Sequence, residues 1–217
     1  TATSLVGLGT GLPPGRHGVV GYTMNVPGNR PKLLNTLKWD SAIPPREWQP
    51  YGTVFERAVD AGITVTSVGQ KSFQGSGLTV AGLRGGGYLA ADSAGQRIDR
   101  TVQACERGRP ALVYVYDGSL DWTGHRDGPG SPAFSHQLAV IDATIARLRA
   151  AIPRDAVLLV TGDHGMVDIP FDHRVDIDAE PELQADVRLV AGDPRLRYLY
   201  TRPEDEQAVA ERWATRL

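Results

Sequence analysis

Two short runs place an aspartate and a histidine where a predicted β-strand gives way to a loop. The first reads Tyr116-Asp117-Gly118-Ser119-Leu120-Asp121-Trp122-Thr123-Gly124-His125, and the second reads Val160-Thr161-Gly162-Asp163-His164-Gly165-Met166. Carboxylate oxygen and imidazole nitrogen form a mixed donor set that suits Zn²⁺, with Mn²⁺ or iron as alternatives. Two such pairs can hold two divalent ions about 3.5–4 Å apart, the arrangement that clamps the attacking and leaving oxygens of a phosphoester. Gly124 and Gly165 let the backbone bend close to the ligands. Either run alone is ordinary, because Asp-His-Gly and Asp-x-x-Gly-His also occur in solvated loops and capped turns. Their pairing on successive strands carries the reading. Asp117 lies nearer its strand and is read as a support for the ligands. His136 and Asp142 read as surface or packing residues of a helix, and His173 as an outside candidate for a loop ligand.

The elements that must position these residues follow from hydrophobic periodicity. Short β-branched runs predict strands at 63–68, 111–116 and 156–161, with weaker ones at 186–190 and 197–200. The second and third are almost continuously apolar, as expected of central parallel strands covered on both faces. Helical periodicity lies between them: at 51–61 (Val54, Phe55, Ala58, Val59), at 97–107, and at 134–151 with the stripe Leu138, Ile141, Ile145, Leu148. Residues 204–216 predict a polar surface helix. This alternation argues for an α/β fold, a doubly wound, mostly parallel sheet sandwiched by helices. Such sheets bind ligands at the carboxyl ends of their strands, where all four Asp and His residues fall. Residues 1–217 read as one catalytic domain, with loop or cap-like excursions near 11–50 and 69–95. The Gly85-Gly86-Gly87 run is expected to be a flexible turn; no Gly-Lys-Ser/Thr follows it, so it is not a phosphate loop.

Bulk properties narrow the classes. The 217 residues carry a formal net charge of −2 and are 41% apolar, enough to bury a core. Nothing argues for electrostatic capture of a nucleic-acid polymer or an anionic membrane. No apolar run approaches the ~18 residues of a membrane span. The single cysteine, Cys105, excludes an internal disulfide and reads as an ordinary semi-buried thiol. The chain opens at Thr1 without a methionine and closes inside a predicted helix. It is read as an excerpt of a longer protein, which leaves localisation and oligomeric state open.

Residues 1–10 read as a small-residue helix with a hydroxyl-rich first turn, stopped by Thr10-Gly11-Leu12-Pro13-Pro14. A helix N-terminus suits a phosphoryl group, and a hydroxyl held there on a metal would be an activated nucleophile. Here the sequence resembles the alkaline phosphatase superfamily, in particular its nucleotide pyrophosphatase/phosphodiesterase-like branch. That branch has a Thr followed nine residues later by Thr-Gly-Leu-x-Pro-x-x-His-Gly, matched by Thr1 and Thr10-Gly11-Leu12-Pro13-Pro14-Gly15-Arg16-His17-Gly18. It then has Asp-x-x-Gly-His-x-x-Gly-Pro, matched by Asp121 to Pro129, and Ser/Thr-x-Asp-His-Gly-Met, matched by Thr161 to Met166. The resemblance implies an alkaline phosphatase-like fold, here incomplete, and a phosphodiesterase or nucleotide pyrophosphatase with two divalent metals, Zn²⁺ first and Mn²⁺ as the alternative. It implies Thr1 as the nucleophile that bridges the metals. It makes Asp121 and His125 ligands of the ion that activates water, and Asp163 and His164 ligands of the ion that holds the nucleophile. His17 matches a structural motif histidine. The branch also uses an upstream Asp ligand and a far-downstream His ligand, both expected outside this excerpt. Where the branch often carries an Asn that helps hold a phosphate oxygen, this chain has Tyr22, with Asn25 three residues on.

The substrate implied is a small phosphoester or nucleotide. Two alternatives stay within the resemblance: a metal-binding pseudoenzyme and a phosphomonoesterase. A threonine at position 1 also invites an N-terminal-nucleophile hydrolase, but that leaves Asp163 and His164 without a role. The Cys-x-Pro-x-Arg-like motif of sulfatases is absent. Trp39, Trp48 and Tyr22 could stack on a nucleobase, although aromatic residues in long loops are more often local core.

Overall fold

The computed structural model describes residues 1–28 and 30–217; residue 29, within the expected 11–50 excursion, lies outside them. The chain opens with helix α1 (Ala2–Thr10), which ends where Gly11 turns left-handed at φ +71° and returns its N–H to the Gly7 carbonyl. Next come α2 (Pro14–His17), β1 (Thr23–Asn25), β2 (Leu33–Asn35), α3 (Pro45–Trp48) and α4 (Val54–Asp60). Helix α4 is opened by a reciprocal capping box between Thr53 and Glu56. Then follow β3 (Thr64–Gly69), α5 (Gly77–Gly82), β4 (Gly87–Ala90), α6 (Ala94–Glu106), β5 (Ala111–Val115), α7 (Ser119–Asp127) and α8 (Pro132–Ala151). The chain closes with α9 (Pro181–Gln184), β6 (Leu189–Asp193), β7 (Leu196–Tyr200) and α10 (Glu206–Arg216).

Strands β4, β3 and β5 form a parallel sheet in that order, with Val68 level with Leu89 on one side and Val115 on the other. Helix α6 packs against all three strands, and Ala104 on it closes a core of Val68, Ala91, Leu89, Val113 and Val115. The central strand is therefore β3, not the 111–116 or 156–161 run the periodicity singled out. Within this sheet β3 is the strand with a neighbour on each edge, and five of its six residues are buried.

Residues 156–161 form no ladder. Ala156 and Leu158 turn inward against Ile98, Leu148 and Ile152, while Val157, Leu159 and Val160 are 83%, 87% and 64% exposed. A parallel strand exists by exchanging N–H and C=O groups with a neighbour. Among the described residues, no strand pairs along the second edge of β5. The run has the composition of a buried strand but no ladder to join.

A second, antiparallel sheet of order β2-β1-β6-β7 joins the two ends of the chain. Thr23 pairs with Gly192, and the Tyr198 hydroxyl donates to the Val20 carbonyl at 2.9 Å. Two of its strands lie in the 11–50 excursion; the 186–190 expectation is shifted onto β6, and 197–200 becomes β7. The 69–95 excursion likewise contributes α5 and the sheet strand β4. Within the Gly85–Gly87 run the first two glycines pack against backbone: a Cβ on Gly85 would lie 2.5 Å from the Glu56 backbone nitrogen, and one on Gly86 2.3 Å from the Val65 carbonyl oxygen, whereas Gly87 is exposed. Trp39 and Trp48 meet edge to face at 6.4 Å and pack on the core around α1. Each indole donates to a backbone carbonyl, Trp39 to Ile43 and Trp48 to Gly18. Both serve as local core.

Helix α1 is buried along Ala2, Leu5 and Val6, against Val19, Met24, Leu34 and Leu78. It crosses α5 without side chains between the backbones. A Cβ on Gly9 would fall 1.8 Å from the Gly82 carbonyl oxygen, and one on Gly82 would fall 2.8 Å from Val6 Cγ2. This crossing fixes where the N-terminus of α1 can point.

Candidate active site

Thr1 occupies the N-cap of α1, and its side chain makes no capping hydrogen bond. The hydroxyl turns outward to His164, with Oγ1 and Nε2 2.6 Å apart across 163 positions of sequence. Asp121 and His125 lie on α7, one turn apart, and not in a loop as their sequence context suggested. The i, i+4 spacing puts both side chains on one face. The helix starts because Asp117 Oδ1 accepts from the Ser119 N–H at 2.9 Å, and it stops at Gly128, φ +87°. Asp121 falls in its first turn and His125 in its last, both favourable to the helix dipole. Asp163 and His164 do sit in a loop. That loop is held against α7 through Gly124, where an added Cβ would lie 2.3 Å from Met166 Sδ.

The five residues singled out by the motifs converge. His164 Nε2 lies 3.3 Å from Asp121 Oδ1 and 3.5 Å from Asp163 Oδ2, besides its contact with Thr1. Asp121 Oδ1 also lies 3.4 Å from His125 Nε2. His164 Nδ1 is 2.8 Å from the Gly165 carbonyl oxygen. A carbonyl only accepts, so Nδ1 is the donor of that contact, and Nε2 is the ring atom that faces the Thr1 hydroxyl. Asp121 Oδ1 and Asp163 Oδ2 are buried atoms with no hydrogen-bond partner. Among the described residues, no three His, Cys, Asp or Glu side chains close into a ready-made metal cage. The contacts form a chain centred on His164 Nε2.

Sequence reasoning missed two half-buried phenols at the end of β5 that feel the charges of this site. Burial, followed by the charges of Asp163, Asp121 and Asp117, pushes the Tyr116 phenol up to about 12. Burial, then Tyr116 and Asp163, pushes Tyr114 up as well. Both phenols stay protonated at neutral pH. Their position on β5 beside Asp121 could have flagged them. Arg97, which pairs with Asp117 at 2.6 Å, left no signal, being one arginine among several on a helix remote in sequence. His136 and Asp142 are exposed on α8, and His173 is exposed in the short 3-10 turn Phe171–His173. Among the described residues none of the three forms an ion pair with the cluster. His17 is buried, its Nδ1 accepting from the Val19 N–H at 3.1 Å, consistent with a structural role.

A parallel sheet flanked by helices, with Asp and His side chains gathered from a helix, a loop and a helix N-terminus, defines an α/β domain of alkaline phosphatase type. A family model described as "Type I phosphodiesterase / nucleotide pyrophosphatase" matches residues 1–217. The chain belongs to that family. It is 40% identical over 63 residues to human ectonucleotide pyrophosphatase/phosphodiesterase family member 7, a stretch covering 27% of this chain and 14% of that protein. It is 28% identical over 114 residues to the human GPI ethanolamine phosphate transferase 3 catalytic subunit, covering 52% of this chain and 10% of that one. The structure of murine ectonucleotide pyrophosphatase/phosphodiesterase 5 superposes with a TM-score of 0.69 at 19% identity, over 97% of this chain and 56% of that one. The chain thus spans well under two thirds of the length of these relatives. Among the described residues, no helix is long and apolar enough to cross a membrane.

Proposed function

We propose that the protein is a metal-dependent hydrolase of phosphodiester or pyrophosphate bonds, acting on a small phosphoester or nucleotide with Thr1 as nucleophile. Family membership supports the reaction class. The observation that carries the site is the 2.6 Å approach of Thr1 Oγ1 to His164 Nε2, beside the unpartnered oxygens of Asp121 and Asp163.

The donor chemistry fits divalent cations. Buried carboxylate oxygens without partners are costly unless a cation meets them. A histidine that gives Nδ1–H to a backbone carbonyl is oriented as metal-bound histidines are, with Nε2 turned to the site. Asp121 and His125 would hold one ion, and Asp163 and His164 the other, Zn²⁺ first and Mn²⁺ as the alternative. Such ions supply charge stabilisation at the transferring phosphoryl group and lower the pKa of a nucleophilic oxygen.

The chain's own residues do the rest. Thr1 Oγ1 loses its proton to solvent and forms a bond to phosphorus in line, as the bond to the leaving alkoxide or phosphate breaks and the leaving alkoxide takes up a proton from water. Water then cleaves the phosphothreonine and restores the hydroxyl. The first-turn N–H groups of α1 would meet the phosphoryl oxygens of a group bound at Thr1, and the protonated phenols of Tyr114 and Tyr116 keep further negative charge out of an acidic site.

The test is hydrolysis of a chromogenic phosphodiester by the intact protein, with and without chelator, alongside a metal count for His164→Ala. Chelation is expected to stop turnover and Zn²⁺ or Mn²⁺ to restore it, with the variant short of about one ion per chain. Turnover that persists in chelator would overturn the metal reading. Metal binding without turnover would point to a pseudoenzyme, and turnover confined to monoesters to a phosphomonoesterase.

A further inference from the structure

The corner of the fold that holds α7 contains a charged network which the donors themselves do not use. Asp117 sits in the turn between β5 and α7. Its Oδ2 lies 2.6 Å from Arg97 Nη2 on α6, with the two side chains 23% and 12% exposed. Its Oδ1 accepts from the Ser119 N–H at 2.9 Å and from the Ser119 hydroxyl at 2.6 Å. Gln137 on α8 donates through Nε2 to that same Ser119 oxygen at 3.0 Å. One carboxylate thus ties α6 and α8 to the first turn of α7. Gly118 at the N-cap has no side chain to cap the helix, so Asp117 caps it from one residue back.

An enclosed ion pair is a weak source of stability but a strong constraint on geometry once formed. Here the constraint falls on the helix that carries Asp121 and His125. We propose that Asp117 is a positioning residue: held by Arg97, it sets the rotation and depth of α7, and so the direction in which Asp121 and His125 present their donor atoms. This rests on the reading of those two residues as metal donors.

The test uses the intact protein in four forms: wild type, Asp117→Ala, Asp117→Asn and Ser119→Ala. Zn²⁺ affinity is measured by chelator competition, with melting temperature and with kcat and KM for a chromogenic diester. Asp117→Ala is expected to weaken one of two Zn²⁺ ions by about 10-fold, the low end for loss of a direct outer partner because Asp117 acts through the placement of α7, while the other ion holds. kcat should fall with it and KM stay. Asp117→Asn keeps an oxygen for the Ser119 amide and should recover part of the loss. Zn²⁺ affinity and kcat within about twofold of wild type in Asp117→Ala would reduce Asp117 to a plain helix cap. Equal loss of both ions together with a lower melting temperature, unrelieved in Asp117→Asn, would also overturn the proposal. If Asp117→Ala does not fold, Ser119→Ala decides: selective loss of one ion supports the proposal, and unchanged affinity overturns it. A wild-type protein that bound no Zn²⁺ would overturn the metal reading and this one together. A wild type that binds and turns over, with unaffected Asp117 variants, overturns this one alone.

Discussion

Replacing Gly9 by Ala tests whether the crossing of α1 over α5 sets the position of Thr1, the proposed nucleophile. The added Cβ would lie 1.8 Å from the Gly82 carbonyl oxygen, 2.9 Å from its carbonyl carbon and 3.0 Å from Leu83 Cδ2. A tolerable carbon–oxygen contact is about 3.3 Å, so the helices must part by roughly 1.5 Å. The obstacle is backbone, which cannot swing aside as a flexible side chain would. Gly9 lies eight residues from Thr1, about 12 Å along the axis. If α1 shifts as a rigid body, the Thr1–His164 contact of 2.6 Å opens to roughly 4 Å, and misplacement by about 1 Å costs on the order of 100-fold in rate. Overpacking costs about 1–3 kcal/mol, offset in part by the roughly 1 kcal/mol that Ala gains over Gly within a helix. The expected result is a loss of up to about 2 kcal/mol in urea unfolding, with a fall of about 100-fold in kcat at saturating metal. Gly15→Ala is the control, because a Cβ there meets nothing within 4 Å. A Gly9→Ala variant with wild-type stability and turnover would refute the reasoning.

Three further outcomes are expected. Thr1→Ala should lower diester hydrolysis by several orders of magnitude at unchanged metal content, while Thr1→Ser keeps part of it. Near-wild-type turnover by the alanine variant would mean that water attacks directly and Thr1 only begins the helix. Arg84, with a side chain 6% exposed, pairs with Glu56 at 3.1 Å and donates to the carbonyls of Ala81 and Tyr51. Arg84→Met should cost about 3 kcal/mol or more in urea unfolding, and a cost below about 1 kcal/mol would sink that account. Burial lowers the His17 pKa from its ordinary 6.5, so the folded protein holds a neutral ring where the unfolded chain takes a proton. That contribution is fully present above pH 6.5 and is lost as pH falls through the folded value. The melting temperature should therefore drop more between about pH 7.5 and 5.5 in the wild type than in His17→Asn, and equal drops would refute it.

Much of the frame was readable because it depends on local periodicity. The 63–68 and 111–116 runs became β3 and β5, and the stripes at 51–61, 97–107, 134–151 and 204–216 became α4, α6, α8 and α10. The failures were non-local. Val157, Leu159 and Val160 have strand composition, but composition cannot supply a ladder partner. The sheet of β1, β2, β6 and β7 rests on strands as short as three residues and on a pairing of Thr23 with Gly192 across 169 positions, beyond the reach of any window. Helix α7 was hidden for a different reason. Ser119–Asp127 has Gly124 inside it, and its start depends on the Asp117 carboxylate. Yet the four-residue spacing of Asp121 and His125 was itself a helical signal, outweighed by the adjoining glycines.

The cluster around His164 is assembled from three pieces that are held by unlike means. Helix α1 is seated by a backbone-to-backbone crossing at Gly9 and Gly82, which tolerates almost no displacement. Helix α7 is tied by the Asp117 carboxylate to Arg97 and Ser119. Among the described residues, no strand ladder lies beneath the loop that carries Asp163 and His164; it leans on α7 through Met166, a flexible side chain, against the bare face of Gly124. By these holds, positional constraint decreases from the helix of Thr1, to the helix of Asp121 and His125, to the loop of Asp163 and His164. A cation shared among carboxylate and imidazole groups would act most strongly on the last of these. It would replace the 3.3 Å and 3.5 Å approaches of uncapped oxygens to His164 Nε2 with attractive contacts, and so lock the loop to two elements whose positions are already set. On this reasoning metal binding would order the Asp163–His164 side of the site more than the Asp121–His125 side.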